Sequence, residues 1–293
     1  MGGDTPAWTP VHATVKGANK KYSQDALRFR AVADGAALLL TVADGHGAAP
    51  HRRSHLGSAW AVEEFVRCVT PFARMVAELE GEGPGAWRRL REAGDLPLRR
   101  TVCRSWLDRT RLHDLNAPSR GTAGPAAEFG RDRLVPYGST LLGVLLSRTQ
   151  VFCWQLGDGD IVLVDENGPP RHLFAETGDK VGDETDSLCG PEPWHRMRTH
   201  WQPLSSLGRD RLIMINTDGL TNSFADGDGY VRFAQDVYDR FRAHGPAWVG
   251  ERLPGWLERA ADNSGDDTTL LAAYAPGSAA PRTSSETRRG KEL

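Results

Sequence analysis

Short apolar runs that end in an aspartate followed by glycine are the feature of this 293-residue chain that most limits its fold. Leu38–Ala43 leads into Asp44-Gly45, and Leu212–Asn216 leads into Thr217-Asp218-Gly219. Bounded apolar runs of this length predict buried β-strands. An aspartate at the tip of such a strand holds its carboxylate in a fixed place, and tips from distant parts of the chain can converge on one site.

The remaining apolar patterns predict more strands and several long helices. Further β-like runs are Ser139–Leu146, Val151–Leu156 and Ile161–Val164. Helical spacing occurs at Leu56–Leu79, Val102–Leu115, Val231–Phe241 and Trp248–Ala260. Pro254 is expected to interrupt the last of these helices. Because strands come in neighbouring runs and helices in long blocks, the pattern favours antiparallel sheets covered by helices over an alternating βαβ fold.

Composition excludes several classes of protein. The formal net charge is only -2 and no run of five or six like charges occurs, so no nucleic-acid partner is expected. The four cysteines are far apart and form no CxxC pair, which argues against a zinc site and for reduced thiols. The beginning of the chain has no apolar stretch of signal-peptide length, so a cytoplasmic protein without a membrane anchor is expected.

Aspartates near strand tips are hard oxygen ligands, which suit Mg²⁺ or Mn²⁺ rather than zinc. If Asp44, Asp218 and Asp266 hold two divalent ions, three negative charges meet four positive ones. Such a site attracts a phosphate dianion and acidifies a bridging water, so phosphoester hydrolysis is the natural chemistry. Each Asp-Gly pair taken alone is more often a turn, and only the combination of motifs carries the interpretation.

In its ordered set of motifs the chain resembles the type 2C metal-dependent protein phosphatases, and in particular their bacterial branch. The resemblance runs through nearly the whole folded region and rests on motifs that are specific only together. They are Gln24-Asp25, Asp44-Gly45-His46-Gly47, Gly57-Ser58, Gly138-Ser139-Thr140, Gly157-Asp158-Gly159, Thr217-Asp218-Gly219-Leu220 and Asp266-Asp267-x-Thr269.

This resemblance implies an α+β fold, a four-layer α-β-β-α sandwich of two antiparallel sheets flanked by helices. It implies a protein-serine/threonine phosphatase with two Mg²⁺ or Mn²⁺ ions. Asp44 would bridge the ions, Asp218 and Asp266 would complete one of them, and the main-chain carbonyl of Gly45 would serve the other. The bridging water would attack phosphorus, and His46 would be the general acid for the leaving oxygen.

Three positions near these motifs depart from the family pattern or match it loosely. Gln24 stands where many members have glutamate, so Asp25 becomes a direct metal ligand or a partner of one, or alternatively only a hydrogen-bonding residue at the end of a strand. Asn222 stands where an aspartate often helps the Asp158 position to hold a third ion, which leaves a third ion open. Lys20 is near the place of a phosphate-binding arginine; Lys21 is the competing candidate, and either lysine is alternatively a solvated surface residue.

The predicted domain covers residues 10–275, with a flexible start at 1–9, a disordered tail at 276–293 and a variable flap at about 167–203. Packing of Trp194 onto the body is favoured slightly over a role in substrate contact. Expected partners are a phosphoprotein substrate and a cognate Ser/Thr kinase. Two alternatives stay open: a catalytically weak relative that binds phosphoproteins or regulates a kinase, and a small-molecule phosphatase on the same fold.

Overall fold

Two five-stranded antiparallel sheets form the centre of the computed structural model, which describes residues 8–18, 20–80, 82–117, 130–174 and 185–277. The strands are β1 Thr9–Val15, β2 Ala26–Val32, β3 Ala37–Ala43, β4 Leu141–Leu146, β5 Gln150–Leu156, β6 Asp160–Asp165, β7 Gly168–His172, β8 Arg198–Pro203, β9 Arg211–Asn216 and β10 Thr268–Ala275. One sheet has the order β1-β10-β9-β6-β7, and the other has the order β2-β3-β4-β5-β8.

The sheets pack face to face because their central strands are apolar on both sides. In β3, Leu38, Leu40 and Val42 belong to the core between the sheets, whereas Leu39 belongs to the core beneath the helices. Successive side chains of a strand point to opposite faces, so a strand buried on both faces must be apolar at every position. This explains why the sequence of β3 is a continuous apolar run.

Helices cover the outer face of each sheet. They are α1 Ser54–Leu79, α2 Pro84–Gly94, α3 Leu96–Asn116, α4 Pro193–Arg196, α5 Asp218–Thr221 and α6 Gly227–Ser264. Side chains of α1, α2 and α3 share one core with the β3 sheet, and side chains of α6 share another with the β9 sheet. The predicted four-layer fold of two antiparallel sheets flanked by helices is confirmed.

The last helical segment breaks at a different residue from the one expected. Gly245 has φ 81° and ψ 171°, so α6 consists of two helices that meet there. Glycine adopts positive φ without steric cost, and the proline that follows suits the first turn of the second helix. Pro254, predicted to interrupt, lies inside that helix and is exposed to solvent.

The predicted limits of the domain and of its flap can be compared with the strands and helices of the structure. The first strand begins at Thr9, inside the range expected to be flexible, while residues 1–7 and 278–293 lie outside the described residues. The flap range 167–203 contains β7, α4 and β8, and its residues 175–184 are likewise outside the described part. None of the described helices has the length and apolarity required to cross a membrane.

Candidate functional site

Strand register in one sheet brings two of the predicted aspartates together. Ala26 of β2 pairs with Ala43 of β3, so Asp25 and Asp44, which lie just beyond these two residues, share one edge of the sheet. Thr140 fixes the second of them from both sides, since its hydroxyl accepts the Asp44 amide at 2.9 Å and its own amide donates to the Asp44 carbonyl at 2.8 Å.

The facing sheet supplies the other two aspartates by the same principle. Asn216 of β9 pairs with Leu270 of β10, so the end of β9 and the start of β10 lie side by side. Asp218 follows β9 as the first residue of α5, and Asp266 precedes β10 by two residues. The strand ends that carry these four aspartates therefore lie at the same end of the sandwich.

Electrostatic coupling shows that these carboxylates form one cluster. Burial raises the pKa of Asp44 well above its usual value, and the charges of Asp25, Asp218 and Asp266 raise it further. Burial also raises the pKa of Asp218 to about 6, with Asp158 as the next contributor. A buried group of like charges is costly unless a cation compensates it, and carboxylates are the ligands that Mg²⁺ and Mn²⁺ prefer.

The Asp25 carboxylate has a free oxygen within this cluster. Burial raises its pKa to about 7, partly offset by the hydroxyls of Thr217 and Thr269. Its Oδ2 accepts from Thr217 at 2.7 Å, while its Oδ1 is buried without a hydrogen-bond partner. No group of three or more His, Cys, Asp or Glu within the described residues has a complete metal-site arrangement, so the fit to a cation rests on donor chemistry and coupled charge.

Lys20 is the cation that the structure places at this cluster. Its Nζ lies 2.7 Å from Asp266 Oδ1 and donates to Gln24 Oε1 at 2.9 Å. Burial lowers the pKa of Lys20, but the hydrogen bond and charge of Asp266 outweigh burial and leave the pKa raised. The lysine predicted to bind phosphate is therefore charged and adjacent to the predicted metal ligands.

Gln24 and Gly45 form the wall behind the cluster. The Gln24 amide donates to the His46 carbonyl at 3.0 Å and to Ser54 Oγ at 2.6 Å. Its main-chain carbonyl accepts the Gly45 amide at 3.1 Å. A Cβ on Gly45 would stand 2.7 Å from the Ser54 backbone, so only glycine fits this approach. The role of the Gly45 carbonyl as a ligand stays a prediction.

His46 lies beside a second histidine at the edge of the site. Its ring centroid is 4.8 Å from that of His51, and its amide donates to the Gly138 carbonyl at 3.1 Å. Burial, followed by the charge of His51, lowers the pKa of His46 to about 4. The imidazole is consequently neutral near pH 7 in the free protein. A Cβ on Gly138 would lie 2.5 Å from His51, so glycine at 138 makes room for the pair.

Asp158 stands apart from the partly buried cluster. It is exposed, its Oδ2 accepts from Thr185 at 2.7 Å, and its charge reaches Asp218 and His46. Asn222 donates to Asp218 Oδ2 at 3.0 Å instead of offering a carboxylate. Whether the Asp158 position binds an ion stays a prediction.

Two residues that position the cluster, Thr217 and Asp267, were in the recognised motifs without an assigned role. Thr217 donates to Asp25 and accepts the Thr269 amide at 3.1 Å. The buried Asp267 accepts the amides of Gly17 at 2.9 Å and Gln24 at 2.7 Å. Asp266 faces the Lys20 ammonium, whereas Asp267 faces two backbone amides. The sequence does not distinguish these two roles, because the aspartates are adjacent and identical.

The flap packs onto the body through Trp194, as the sequence slightly favoured. Trp194 is buried, with the guanidinium groups of Arg100 and Arg104 at 5.5 and 5.6 Å from its ring. Arg99 donates to the carbonyls of Trp194 at 3.1 Å and Met197 at 2.6 Å. These contacts anchor the C-terminal part of the flap to α3.

Comparison with known proteins identifies relatives across nearly the whole chain. A family model described as Protein phosphatase 2C matches residues 16–258. Comparison with curated proteins finds no match. Solved structures share the fold at low sequence identity. The catalytic domain of the serine/threonine protein phosphatase PstP, in complex with two manganese ions, has a TM-score of 0.53 at 14% identity, covering 92% of this chain and 97% of that chain.

Two further bacterial structures match over a similar extent. Serine/threonine phosphatase Stp1 from Staphylococcus aureus has a TM-score of 0.57 at 15% identity, covering 92% of this chain and 96% of its own. The serine/threonine phosphatase from S. agalactiae has a TM-score of 0.57 at 16% identity, covering 92% and 99%.

Proposed function

We propose that this chain, which belongs to the protein phosphatase 2C family and is a protein-serine/threonine phosphatase, hydrolyses phosphoserine and phosphothreonine of proteins with two Mn²⁺ or Mg²⁺ ions in its aspartate cluster. The observation that carries the proposal is that burial raises the carboxyl pKa of Asp25, Asp44 and Asp218, and that the pKa of Asp44 is raised further by the charges of Asp25, Asp218 and Asp266. Such coupling marks carboxylates that are close, buried and in need of a cation.

The ligand assignment follows the position of each side chain. Asp44, coupled to Asp25, Asp218 and Asp266, would hold both ions. Asp218 and Asp266 from the second sheet would complete one ion, and the Gly45 carbonyl would serve the other, with Asp25 beside it. When bound, the ions supply Lewis-acid activation of water and neutralise charge on the phosphate.

Lys20 has the charge and position to bind the phosphate group of the substrate. Its partner Asp266 is one of the proposed metal ligands, so a cation at the cluster competes with the ammonium for that carboxylate. Lys20 would then turn its charge toward a phosphate oxygen. An ammonium beside a dianion stabilises the negative charge of the phosphoryl group during in-line displacement.

His46 would give a proton to the leaving oxygen only when substrate is bound. Its low pKa of about 4 leaves the ring neutral in the free protein at pH 7. A phosphate dianion near the ring favours the imidazolium form and raises the pKa toward the range useful for general acid catalysis. The proposed acid is thus switched on by the substrate's own charge.

Hydrolysis of a phosphothreonine peptide with added Mn²⁺ tests the proposal. Asp44→Asn and Asp218→Asn should lower kcat at least about a hundredfold, because each removes a charged ligand from the activated-water site. Asp239→Asn, an exposed position on α6, is the matched control and should keep wild-type activity. Turnover without a divalent ion, or full activity of the two cluster variants, would refute the mechanism.

A second candidate is a catalytically weak relative that binds phosphoproteins or regulates a kinase. It is favoured by Asn222, which places an amide on Asp218 where relatives often carry a carboxylate, and by the neutral Gln24. Calorimetry with a phosphothreonine peptide and Mn²⁺ discriminates the two. Tight binding without turnover across several metals would favour the weak relative, and robust turnover would exclude it.

The setting of this activity is also a proposal. A phosphoprotein substrate requires a Ser/Thr kinase that makes it, so a cognate kinase is the expected partner. All four cysteines are free thiols, and burial raises the pKa of Cys103 to about 12, which suits a reducing compartment such as the cytoplasm. Fractionation of cells that produce the protein would test the location.

A further inference from the structure

A groove of about 320 Å³ opens on the outer helical layer beside α5 and α6. Its apolar lining comes from three aromatic rings and two small buried side chains, and its polar rim comes from five other residues. The aromatic rings are those of Phe224, Phe233 and Trp256, and the charged residues of the rim are Asp236, Arg240 and Arg259. The volume lies at the lower end of the range for sites that hold a ligand.

The rim carries one excess positive charge. Arg240 lies 3.5 Å from Asp236 and stacks over the Trp256 ring at 5.3 Å, so these two charges compensate each other. Arg259 is exposed, and no hydrogen bond or ion pair joins it to any other residue in the described ranges. The groove therefore complements an apolar group that carries a carboxylate next to it.

The groove begins where the two metal-binding segments end. Ser223 and Phe224 follow α5, whose first residue is Asp218, and Asn263 precedes Asp266 by three residues. At the rise of a helix, Ser223 lies roughly 8 Å along the chain from Asp218. An extended peptide covers about 3.3 Å per residue, so at that separation the groove would meet residues about two to four positions from a phosphorylated residue in the site.

The apolar wall of the groove is also connected to the site. The Phe224 ring lies 5.9 Å from that of Tyr230, whose hydroxyl donates to Asn216 Oδ1 at 2.6 Å. Asn216 donates in turn to the Thr217 carbonyl at 3.1 Å, directly before Asp218. The groove is thus anchored to the same rigid segment that positions the carboxylates.

We propose that this groove docks the phosphoprotein substrate through an apolar side chain next to an acidic residue, two to four positions from the phosphorylated residue. Arg259 pairs with the acidic residue, and the aromatic rings enclose the apolar one. The inference rests on the proposed phosphatase function and assigns a sequence preference to it. The occupant is the peptide segment that flanks the phosphorylated residue. The positive charge of Arg259 suits an acidic residue in that segment, and the groove lies beside the carboxylates where the phosphorylated residue would bind.

Four phosphothreonine peptides test this proposal. They carry a Leu-Glu or a Leu-Lys pair three positions from the phosphothreonine, on its N-terminal or its C-terminal side. On one side, wild-type protein should show a kcat/KM about twofold to fivefold higher for the Glu peptide, as expected for one added charge pair near the surface. Arg259→Glu should reverse this ratio in favour of the Lys peptide.

Arg88→Glu is the matched control, since Arg88 is an exposed arginine on α2 in the other helical layer. It should keep the wild-type ratio. Equal ratios for wild type and Arg259→Glu would overturn the docking site, and so would a change of oligomeric state in Arg259→Glu, which would assign the groove to a second copy of the chain. Hydrolysis of all four peptides with Mn²⁺ would still support the phosphatase, so the two proposals fail separately.

Discussion

Asp267 offers the sharpest test of how the site is held together. Its carboxylate is buried and accepts two backbone amides, that of Gly17 through Oδ1 at 2.9 Å and that of Gln24 through Oδ2 at 2.7 Å. These bonds fasten both ends of the β1–β2 connection, which carries Lys20 and leads into Asp25. The perturbation is Asp267→Asn, which keeps the size of the side chain and removes one of its two acceptors.

The expected loss follows from this hydrogen-bond pattern. The asparagine oxygen can accept one amide, while its NH₂ group faces the other and leaves it unpaired. A hydrogen bond to a charged group contributes about 1.5–3 kcal/mol, and an unsatisfied buried amide costs about 1–3 kcal/mol. We therefore expect the free energy of unfolding to fall by about 2–4 kcal/mol, which a domain of ordinary stability survives.

Urea denaturation of the metal-free protein measures this change as a shift of the midpoint at constant m-value. Asp262→Asn is the control, because Asp262 is exposed near the end of α6. A titration with Mn²⁺ should also show weaker binding for Asp267→Asn, since Asp25 loses its support. If both variants unfold within about 0.5 kcal/mol of wild type, the carboxylate of Asp267 does not hold the connection and the reasoning fails.

Two other predictions concern charge and packing. The pKa values of Asp25, about 7, and Asp218, about 6, lie above the usual 3.8, so the folded metal-free protein holds more protons than the unfolded chain. Its melting temperature should fall as pH rises from about 4 to 7, and the gain from Mn²⁺ should grow over that window; a flat profile would contradict this. Gly57→Ala should lower the free energy of unfolding by about 1–3 kcal/mol, since its Cβ would stand 1.8 Å from the Tyr137 carbonyl. Gly85→Ala, in the open first turn of α2, should cost nothing, and thermal denaturation that ranks Gly57→Ala as the milder change would refute the packing argument.

The fold was predictable where burial shapes the sequence. Strands β3, β4, β5, β6 and β9 are apolar on both faces and were predicted within a few residues. Strand β2 was not predicted because Arg28 and Arg30 are exposed and interrupt its apolar pattern. Strand β10 begins with two threonines and contains three alanines, so its complete burial depends on pairing with β1 and β9 rather than on side-chain hydropathy.

The residue types of the candidate site were predictable from the sequence, but the separate role of each aspartate was not. The structure brings Asp25, Asp44 and Asp218 into one cluster, while their roles as metal ligands stay a prediction. The distinct roles of Asp266, which pairs with Lys20, and Asp267, which accepts backbone amides, depend on strand register between distant segments. Register is a property of the assembled sheets, so no local pattern at residues 266–267 encodes it.

Gln24 shows why a departure from the family pattern need not remove a function. Its neutral amide donates to the His46 carbonyl and to Ser54 Oγ, while its carbonyl oxygen accepts from Lys20. A glutamate could accept from Lys20 but could not donate to the His46 carbonyl, and it would add a carboxylate to a cluster whose pKa values are already raised. Gln24 thus joins the wall behind the proposed metal ligands to Lys20 in front of them. By the family motif, glutamine at position 24 is the loss of a negative charge. In this chain, Gln24 instead forms the hydrogen-bonded link between the proposed metal site and the proposed phosphate site.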